Sequence, residues 1–482
     1  MPENLEKRLK RQIHGKLHRF TAVVPLGFEA TLVQELRQIG VAAKDDSFET
    51  ADGKVTFEAK LTEAWKAVAR SRIANRMLMD IASFKAENFR VLEKKAAEIP
   101  WELFLNVGER HPEHNVRRIQ AQCPLPDAND ISIHVTCKES RLYHSDAVAE
   151  RFYNILKGGC LPLSAAPSQP APHANRSSPS AANCSLSGQA ITGSSATPSA
   201  GTPRNTPTQA ETVTQHLYVE FLKDRCTVSL DLAGEELYKR GHQRFVAEAP
   251  LKETIAAAML LEAETVATQS ARTVAAPDTC TTIIDPMAGS GTFSLEAANK
   301  NCGLIPGRCR DFALKHQPAF KEATWNYILN EKHPGPNPAI RIITSDISER
   351  AVEIIKHNVQ TSPLPPDTMA PQQKDFFSYT PDEISGGTNS NASGKTIILL
   401  NPPYGKRLDA DAPALYARIG KKLTELAQGA ESPLTVAILA PKGPCSENLL
   451  KSCPALAATG VKKIKTSHGG FSLNCFIALL NK

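Results

Sequence analysis

Paired cysteines, long apolar runs and a secretion signal are all missing from this chain of 482 residues. Its 11 cysteines are scattered, with no CxxC pair and no histidine at zinc-binding spacing, so we expect reduced, cytosolic thiols and no bound metal. No stretch approaches the roughly 18 consecutive apolar residues of a membrane-spanning helix. The basic N-terminal residues are not followed by the apolar core of a signal peptide, which disfavours secretion and favours a cytoplasmic protein.

A strong excess of charge of one sign is also lacking. The net charge of +6 gives only a slight preference for polyanionic partners, since many enzymes with no nucleic-acid role are equally basic. The 41% apolar and 22% charged fractions are typical of a soluble protein. Because one hydrophobic core rarely organises a chain of this length, we expect two or three domains.

Large apolar residues almost disappear between residues 161 and 215, where serine, alanine, proline, threonine and glycine dominate. Such a segment cannot bury a core, and its composition predicts a disordered insertion. Strand and helix patterns continue on both sides of it. We therefore interpret the insertion as an interruption within one domain.

The part of the chain before residue 236 has the mixed periodicity of an α+β region. We divide it into a basic tail over 1–18, which either touches a polyanion or only improves solubility, and two units over 19–90 and 91–235. The predicted strands cover 19–26, 54–58, 115–123, 130–138, 215–226 and 227–232, and the predicted helices cover 28–39 and 145–156.

From residue 236 onward, helices and strands alternate regularly. This alternation predicts a Rossmann-like α/β domain with a parallel, doubly wound sheet over residues 236–482. The predicted strands cover 281–284, 340–344, 395–400, 434–440, 461–465 and 471–480, and the predicted helices cover 251–267, 292–300, 348–359 and 414–427.

A glycine-containing loop joins the first strand of this domain to the next helix. The strand ends at Asp285 and Pro286, and Gly289 and Gly291 precede the helix start at Thr292. Glycines permit a sharp turn and let a ligand approach the backbone amides. The third glycine of the dinucleotide fingerprint is missing, which disfavours a pyrophosphate ligand. An acidic strand end followed by G-x-G suits S-adenosylmethionine, which has a cationic amino-acid end and no phosphate.

Two further carboxylates lie near neighbouring strand ends. Asp346 ends the second strand, where a carboxylate can accept both ribose hydroxyls. Asp375 precedes the strand over 395–400, where it can accept the adenine amino hydrogen while Phe376 flanks the ring. Each alone can equally be an ordinary turn residue. Three acidic residues in register with three strand ends favour a nucleoside-binding pocket.

The tetrapeptide Asn401-Pro402-Pro403-Tyr404 follows the apolar strand over 395–400. Its two prolines fix the backbone and remove two amide donors, which leaves the carbonyls as acceptors. An exocyclic base amine is a poor nucleophile because its lone pair is delocalised into the ring. Acceptors from the Asn401 side chain and the Pro402 carbonyl can favour a pyramidal nitrogen, and Asn401 also borders the expected cofactor. Methyl transfer from a sulfonium needs alignment more than a strong base.

A base amine inside a helix cannot reach such a site, so the base must come from a loop or be flipped out. Tyr404 would then stack on the base, and Lys406 and Arg407 would hold adjacent phosphates. Taken alone, the tetrapeptide can also be a rigid turn after a strand. Together with the glycine loop, it favours methylation of a nucleic-acid amine.

Four segments resemble the THUMP-domain RNA methyltransferases, and above all the bacterial guanine-N2 methyltransferases of large-subunit ribosomal RNA. These segments are 239–241, 248–253, 285–292 and 401–408. The resemblance covers roughly 19–156 and 215–482. It implies a class I methyltransferase domain that uses S-adenosylmethionine, preceded by a ferredoxin-like segment and a THUMP module that bind structured RNA.

The chain also departs from the family pattern. Ala288 replaces a common cysteine, Lys406 replaces a common glutamate, and the insertion over 161–215 is not typical. Neither substitution removes a proposed acceptor. Some bacterial relatives continue into a second methyltransferase domain, and we expect no second activity of that kind here.

The leading hypothesis is methylation of guanine N2 in 23S ribosomal RNA. Transfer RNA guanine is the alternative, because relatives with the same domain order modify it, whereas DNA adenine methylation leaves the first half of the chain unexplained. A non-enzymatic alternative is an RNA-binding assembly factor with an inactive methyltransferase fold, which the intact glycine loop and Asn401 disfavour. Several basic residues either face RNA or are merely solvated, namely Arg117, Arg118, Lys138, Arg141 and His144.

Overall fold

The computed structural model describes residues 4–105, 131–157, 214–241, 244–246, 250–271, 280–331, 337–365, 368–384, 394–404 and 411–481. Several predictions therefore lie outside the described residues. These are the strand over 115–123, nearly all of the insertion over 161–215, and the basic residues Arg117, Arg118, Lys406 and Arg407.

The first half of the described chain forms a single sheet with the strand order β2-β3-β1-β4-β7-β6-β5. Neighbouring strands are antiparallel except for the parallel pair β5 and β6. The strands are β1 (His18–Val23), β2 (Phe48–Ala51), β3 (Lys54–Ala59), β4 (Arg76–Lys85), β5 (Ile131–Lys138), β6 (Gln215–Leu222) and β7 (Arg225–Asp231), and the helices are α1 (Leu5–Leu9), α2 (Glu29–Gln38), α3 (Leu61–Arg70), α4 (Phe89–Ala97) and α5 (Ser145–Leu156).

Two features of this sheet bear on the predicted division into units. Strand β4 pairs with β1 on one side and with β7 on the other, so the regions 19–90 and 91–235 contribute to one continuous sheet. Strands β5 and β6 are hydrogen-bonded neighbours, although the insertion separates them in sequence. The chain on either side of the insertion therefore lies in the same sheet.

The basic N-terminal segment is folded in the described residues. Asn4 caps α1 by accepting a hydrogen bond from the amide of Glu6, and a π-helical turn continues to His14. Leu9 and Ile13 are buried in the same core as the first sheet, so this segment packs on the fold instead of extending from it as a tail.

The turn between β6 and β7 differs from the predicted boundary at residues 226 and 227. Leu222 pairs with Arg225, and the two residues between them, Lys223 and Asp224, both have positive φ. Two-residue hairpin turns of this kind match the twist of the flanking strands. The strand therefore ends earlier than its apolar pattern suggested.

The second half forms a Rossmann-like sheet with the strand order β10-β9-β8-β11-β12-β14-β13. All pairs are parallel except those made by β14, which is antiparallel to both neighbours. The strands are β8 (Thr281–Asp285), β9 (Ile340–Asp346), β10 (Gln372–Gln373), β11 (Lys395–Leu400), β12 (Leu434–Pro441), β13 (Lys462–His468) and β14 (Phe471–Leu480), and the helices are α6 (Glu253–Ala271), α7 (Thr292–Asn301), α8 (Glu322–Asn330), α9 (Glu349–Thr361), α10 (Pro381–Ile384), α11 (Ala412–Gly429) and α12 (Pro444–Ser452).

This strand order determines where a ligand can bind. The chain runs from β8 outward to β9 and β10, then crosses back to β11 on the other side of β8. A reversal of this kind leaves a crevice at the carboxyl ends of the central strands, where α/β sheets bind ligands. Strands β8, β11 and β12 are almost wholly buried, which explains their continuous apolar sequences.

The two halves of the chain pack directly on one another. The ring centroids of Trp65 in α3 and Phe320 lie 5.7 Å apart, and the Arg70 guanidinium donates to the carbonyl of Ile328 at 2.6 Å. The amide of Gly307 donates to the carbonyl of Ala69 at 3.1 Å. One connected apolar core includes residues of both sheets. Among the described helices, none combines the length and apolarity needed to span a membrane.

Candidate active site

A cavity of about 450 Å³ opens at the carboxyl ends of β8, β9 and β11. Its wall includes the loop after β8, Asp346 and Ile347 at the end of β9, and Asn401 and Pro403 after β11. Leu415 and Arg418 of α11 complete one side. The cavity therefore lies where the reversal of strand order predicts a ligand site.

The two glycines of the loop after β8 have different environments. Gly289 has a φ of 57°, and a Cβ atom added there would meet nothing within 4 Å. Gly291 has a φ of 77°, and a Cβ atom there would lie 3.1 Å from two side-chain atoms of Ile355. Gly289 thus keeps space open in the cavity wall, whereas Gly291 allows α7 to begin close to α9.

The Asp346 carboxylate is hydrogen-bonded to the same loop and faces the cavity. Its Oδ2 accepts a hydrogen bond from the amide of Gly289 at 2.8 Å, and its Oδ1 accepts one from the amide of Ser348 at 2.9 Å. Each carboxylate oxygen has a further lone pair for a ligand. The carboxylate is therefore fixed in orientation while it lines the cavity.

Asp375 lines the cavity from the other side of β9. Its Oδ1 accepts a hydrogen bond from the amide of Phe377 at 3.0 Å, which caps a short 3₁₀ turn. Phe376 is buried and Phe377 is half-buried, and both rings contribute to the wall. The Arg418 guanidinium lies over the ring of Phe377, with its central carbon 4.1 Å from the ring centroid. The sequence prediction did not include Phe377 or Arg418.

Asp285 lies beneath the loop and outside the cavity wall. Its Oδ2 accepts hydrogen bonds from the Ser294 amide at 3.1 Å and from the Ser294 hydroxyl at 2.7 Å. Its Oδ1 is buried and has no hydrogen-bond partner among the described residues. Burial raises the pKa of Asp285 to about 7, because the ionised form loses its hydration.

The tetrapeptide after β11 places one unpaired acceptor at the cavity. The Oδ1 of Asn401 is buried and has no hydrogen-bond partner among the described residues, although Asn401 lines the cavity. A buried polar atom without a partner costs free energy unless a ligand or water satisfies it. The Asn401 side chain is therefore suited to accept a hydrogen bond from a bound amine.

Tyr404 is directed toward the hairpin of β13 and β14 and does not line the cavity. Its hydroxyl shares a hydrogen bond of 3.0 Å with Nδ1 of His468, and its ring makes an edge-to-face contact with Phe471 at 6.0 Å between centroids. The sequence prediction of a stacking tyrosine did not include these two partners. They lie more than 60 residues from Tyr404, so no local pattern indicates them.

Arg244 lies outside the cavity and is hydrogen-bonded to the glycine loop. Its guanidinium donates to the Ser290 hydroxyl at 3.1 Å and to the Thr292 hydroxyl at 2.6 Å, and it forms an ion pair with Glu253. The Asn358 side chain also donates to the Ser290 carbonyl, at 3.1 Å. Arg244 lies in sequence between the family-like segments 239–241 and 248–253, and the sequence prediction did not include it.

The structure brings most of the predicted site residues to one cavity. Those in the wall are Pro286, Gly289, Asp346, Asp375, Asn401 and Pro403. Those outside the wall are Asp285, Gly291, Pro402 and Tyr404. Within the described residues, no group of three histidine, cysteine or acidic side chains is arranged to hold a metal ion.

Two family models match the chain. Residues 240–467 match the RMKL-like methyltransferase domain, and residues 19–78 match the RlmL ferredoxin-like domain. The fold and the cavity thus define a class I methyltransferase domain preceded by a ferredoxin-like domain.

Several proteins with similar sequences are named as RNA methyltransferases. A putative RNA methyltransferase of Bacillus subtilis is 25% identical over 395 residues, which cover 82% of this chain and 80% of the relative. A ribosomal RNA large subunit methyltransferase K/L of Allochromatium vinosum is 27% identical over 418 residues, which cover 85% of this chain and 46% of the relative. The chain spans about half the length of such K/L relatives. Over the matched residues, the chain is similar to RNA methyltransferases, including those of the K/L type.

Solved structures share the fold over nearly the whole chain. The crystal structure of a putative methyltransferase complexed with SAH has a TM-score of 0.65 and 22% identity, covering 97% of this chain and 99% of that one. A predicted N6-adenine-specific DNA methylase from Listeria monocytogenes has a TM-score of 0.61 and 20% identity, covering 98% of each chain. The fold therefore extends across both halves of the molecule.

Proposed function

We propose that the protein transfers a methyl group from S-adenosylmethionine to the exocyclic N2 amine of a guanine in large-subunit (23S) ribosomal RNA. The observation that carries the proposal is the buried, unpaired Oδ1 of Asn401 in the wall of a cavity that suits a nucleoside. An amine that enters the site would give this acceptor the hydrogen-bond partner that it lacks among the described residues.

The cavity residues fit the cofactor. Gly289 leaves room beside the loop backbone, and Asp346 is oriented to accept hydrogen bonds from the ribose hydroxyls. Asp375 would accept from the adenine amino group, and Phe377 and Ile347 would flank the adenine ring. Asp285 and Gly291 would act indirectly, since they shape the loop from beneath. The known complex of a related fold with SAH supports this assignment.

The bound cofactor would supply an electrophilic methyl group on a sulfonium. The Asn401 side chain would accept a hydrogen bond from one N–H of the base amine, and the carbonyl of Pro402 would accept a hydrogen bond from the other. These two bonds would orient the lone pair of the nitrogen. The proton displaced from the amine would leave to solvent. Alignment and dipolar stabilisation supply the rate enhancement, so the tetrapeptide needs no strong base.

The choice of ribosomal RNA and guanine has a separate basis. The names of the K/L relatives specify large-subunit ribosomal RNA, and the family resemblance of the sequence specifies guanine N2. The first sheet and its helices would deliver structured RNA. Among the basic residues considered for this role, Arg141 forms ion pairs with Glu87 and Asp224. Its charge is therefore partly neutralised within the protein.

The decisive experiment compares RNA from a strain lacking the gene with RNA from the same strain carrying the wild-type protein or the Asn401→Ala variant. Mass spectrometry of ribosomal RNA nucleosides should show N2-methylguanosine lost by deletion and restored by wild type but not by Asn401→Ala. Asn326→Ala, an exposed asparagine of α8, is the matched control and should restore the mark.

Other results would redirect or end the proposal. A mark that disappears from transfer RNA instead would establish the alternative substrate. Unchanged modification of both RNAs would contradict the proposed reaction. Calorimetry of the purified protein with S-adenosylmethionine separates an enzyme from an RNA-binding assembly factor, which need not bind this compound.

A further inference from the structure

We propose that the hairpin of β13 and β14 completes the subsite for the target base. In this inference His468 is a positioning residue that orients the ring of Tyr404, and Phe471 supplies a second aromatic wall for a planar nucleobase. The inference rests on the proposed function, because it assigns a substrate subsite to the same reaction.

The geometry of the hairpin places both residues at its tip. His468 pairs with Phe471, and the two residues between them are Gly469 and Gly470, with φ values of 58° and 83°. Two central residues with positive φ form the tight turn that suits antiparallel strands. Directly opposed residues project from the same face of a hairpin, so this turn directs His468 and Phe471 together.

Both side chains contact Tyr404. Its hydroxyl shares a hydrogen bond of 3.0 Å with Nδ1 of His468, and its ring lies edge-to-face with both rings, at centroid distances of 6.5 Å to His468 and 6.0 Å to Phe471. The tetrapeptide thus has Asn401 at the cofactor cavity and Tyr404 at the hairpin. A base whose amine reaches Asn401 would lie between these two ends.

Phe471 remains 41% exposed despite its large apolar ring. A flipped base loses the stacking of its neighbours, and an aromatic side chain at its destination offsets that loss. Tyr404 alone offers one ring, whereas Phe471, whose ring plane is inclined at 70° to that of Tyr404, creates an aromatic corner. A planar ligand stacked on Phe471 would cover this exposed ring, which explains why it lies beside the tetrapeptide.

The hairpin is also fixed against the first half of the chain. A Cβ atom at Gly27, which has a φ of 86°, would lie 2.3 Å from the carbonyl oxygen of Lys465 in β13. Lys462 pairs with Glu262 at 2.6 Å, and Glu262 also accepts a hydrogen bond from Thr31 of α2. RNA held by the first half would therefore meet the base subsite in a fixed geometry.

The test uses the full-length protein, labelled S-adenosylmethionine, and ribosomal RNA from the deletion strain. Phe471→Ala should raise the KM for RNA roughly tenfold, because one stacking wall is lost, while the Kd for S-adenosylmethionine changes less than about twofold. Phe471→Trp should retain activity. Phe471→Leu keeps apolar packing and should show most of the loss, which separates stacking from folding.

His468 is tested through its partner. His468→Ala should lower kcat several-fold with little change in the Kd for S-adenosylmethionine, since the tyrosine ring loses its anchor. Tyr404→Phe should have a similar effect, and the double variant should be no worse than Tyr404→Phe alone. Full additivity would contradict a positioning role.

The control is Tyr327→Ala, which removes an exposed aromatic ring on α8, far along the chain from the hairpin. If the wild type methylates RNA and the Phe471 and His468 variants match Tyr327→Ala, the inference is overturned while the proposed function stands. If the wild type neither binds S-adenosylmethionine nor methylates RNA, the proposed function is overturned and the inference falls with it.

Discussion

Asp285 couples the stability of the protein to pH. Burial raises its pKa to about 7, whereas an aspartate in an unfolded chain has a pKa of about 3.9. Between these values the folded state binds more protons than the unfolded state, so the free energy of unfolding falls as pH rises. The slope from this one group is at most about 1.4 kcal/mol per pH unit, and it disappears above the folded pKa.

We therefore predict that Asp285→Asn reduces the loss of stability between pH 5 and pH 8. The amide can still accept from Ser294 and does not ionise. Urea unfolding at several pH values measures the difference between wild type and variant, which should grow by roughly 2 kcal/mol over this range in favour of the variant. Parallel pH profiles would show that Asp285 does not titrate between these limits.

Whether a site residue could be predicted depended on how far its partners lie from it along the chain. Asp285 and Asp346 are the last residues of their strands, and Gly289 and Asn401 lie in the loops that follow β8 and β11. Apolar strands with polar or glycine ends are visible in local sequence. Arg418 was not predicted, because its contact with Phe377 joins α11 to a loop 41 residues earlier. A charged residue on a helix carries no local indication of such a partner.

At the scale of elements, α7 is held by a buried charge network. The Glu296 carboxylate accepts hydrogen bonds from Arg240 at 3.0 Å and from Arg72 at 3.3 Å. Its side chain is 4% exposed, and Arg240 and Arg72 are 6% and 11% exposed. Burial acts to raise the pKa of Glu296, but the two guanidinium groups outweigh it and lower the pKa. Arg72 thereby ties the first half of the chain to the helix that follows the glycine loop.

We predict that Glu296→Gln destabilises the protein by about 3–5 kcal/mol, because two buried guanidinium groups lose their counter-charge. The matched control is Glu235→Gln, which breaks the exposed pair with Lys239 and should change stability by less than about 0.5 kcal/mol. Urea unfolding of the three proteins gives both values. Equal stabilities of the two variants would show that the network contributes no more than a surface pair.

A clear period made some elements predictable, and a disturbed period explains one of the two missed elements described next. Helix α5 and strand β11 have the predicted bounds, because their apolar residues repeat at helical spacing or without interruption. Strand β4 was missed although it is central. A bulge between Asp80 and Ala82 shifts its register and breaks the alternation of buried and exposed side chains. Helix α3 was also missed, although Leu61, Trp65 and Val68 repeat at helical spacing.

At the scale of the whole molecule, the first half and the second half of the chain share one core. The buried apolar cluster that contains Phe20 of β1 also contains Ile397 of β11 and Ile477 of β14. The interface adds the tilted aromatic pair of Trp65 and Phe320 and the hydrogen bond from the Arg70 guanidinium to the Ile328 carbonyl. Exposing either half would uncover apolar surface that the other half now buries, so separate unfolding is costly.

This shared core predicts cooperative unfolding across both halves. S-adenosylmethionine at 100 times its Kd should stabilise the folded state by about 2.7 kcal/mol, and the gain should appear in the unfolding of the first half as well. Scanning calorimetry should show one transition whose Tm rises with the ligand. In a Trp325→Phe variant, which removes the tryptophan of the second half, the fluorescence of Trp65 and Trp101 should shift with it. Two transitions, of which the ligand moves only one, would instead show that the halves unfold independently.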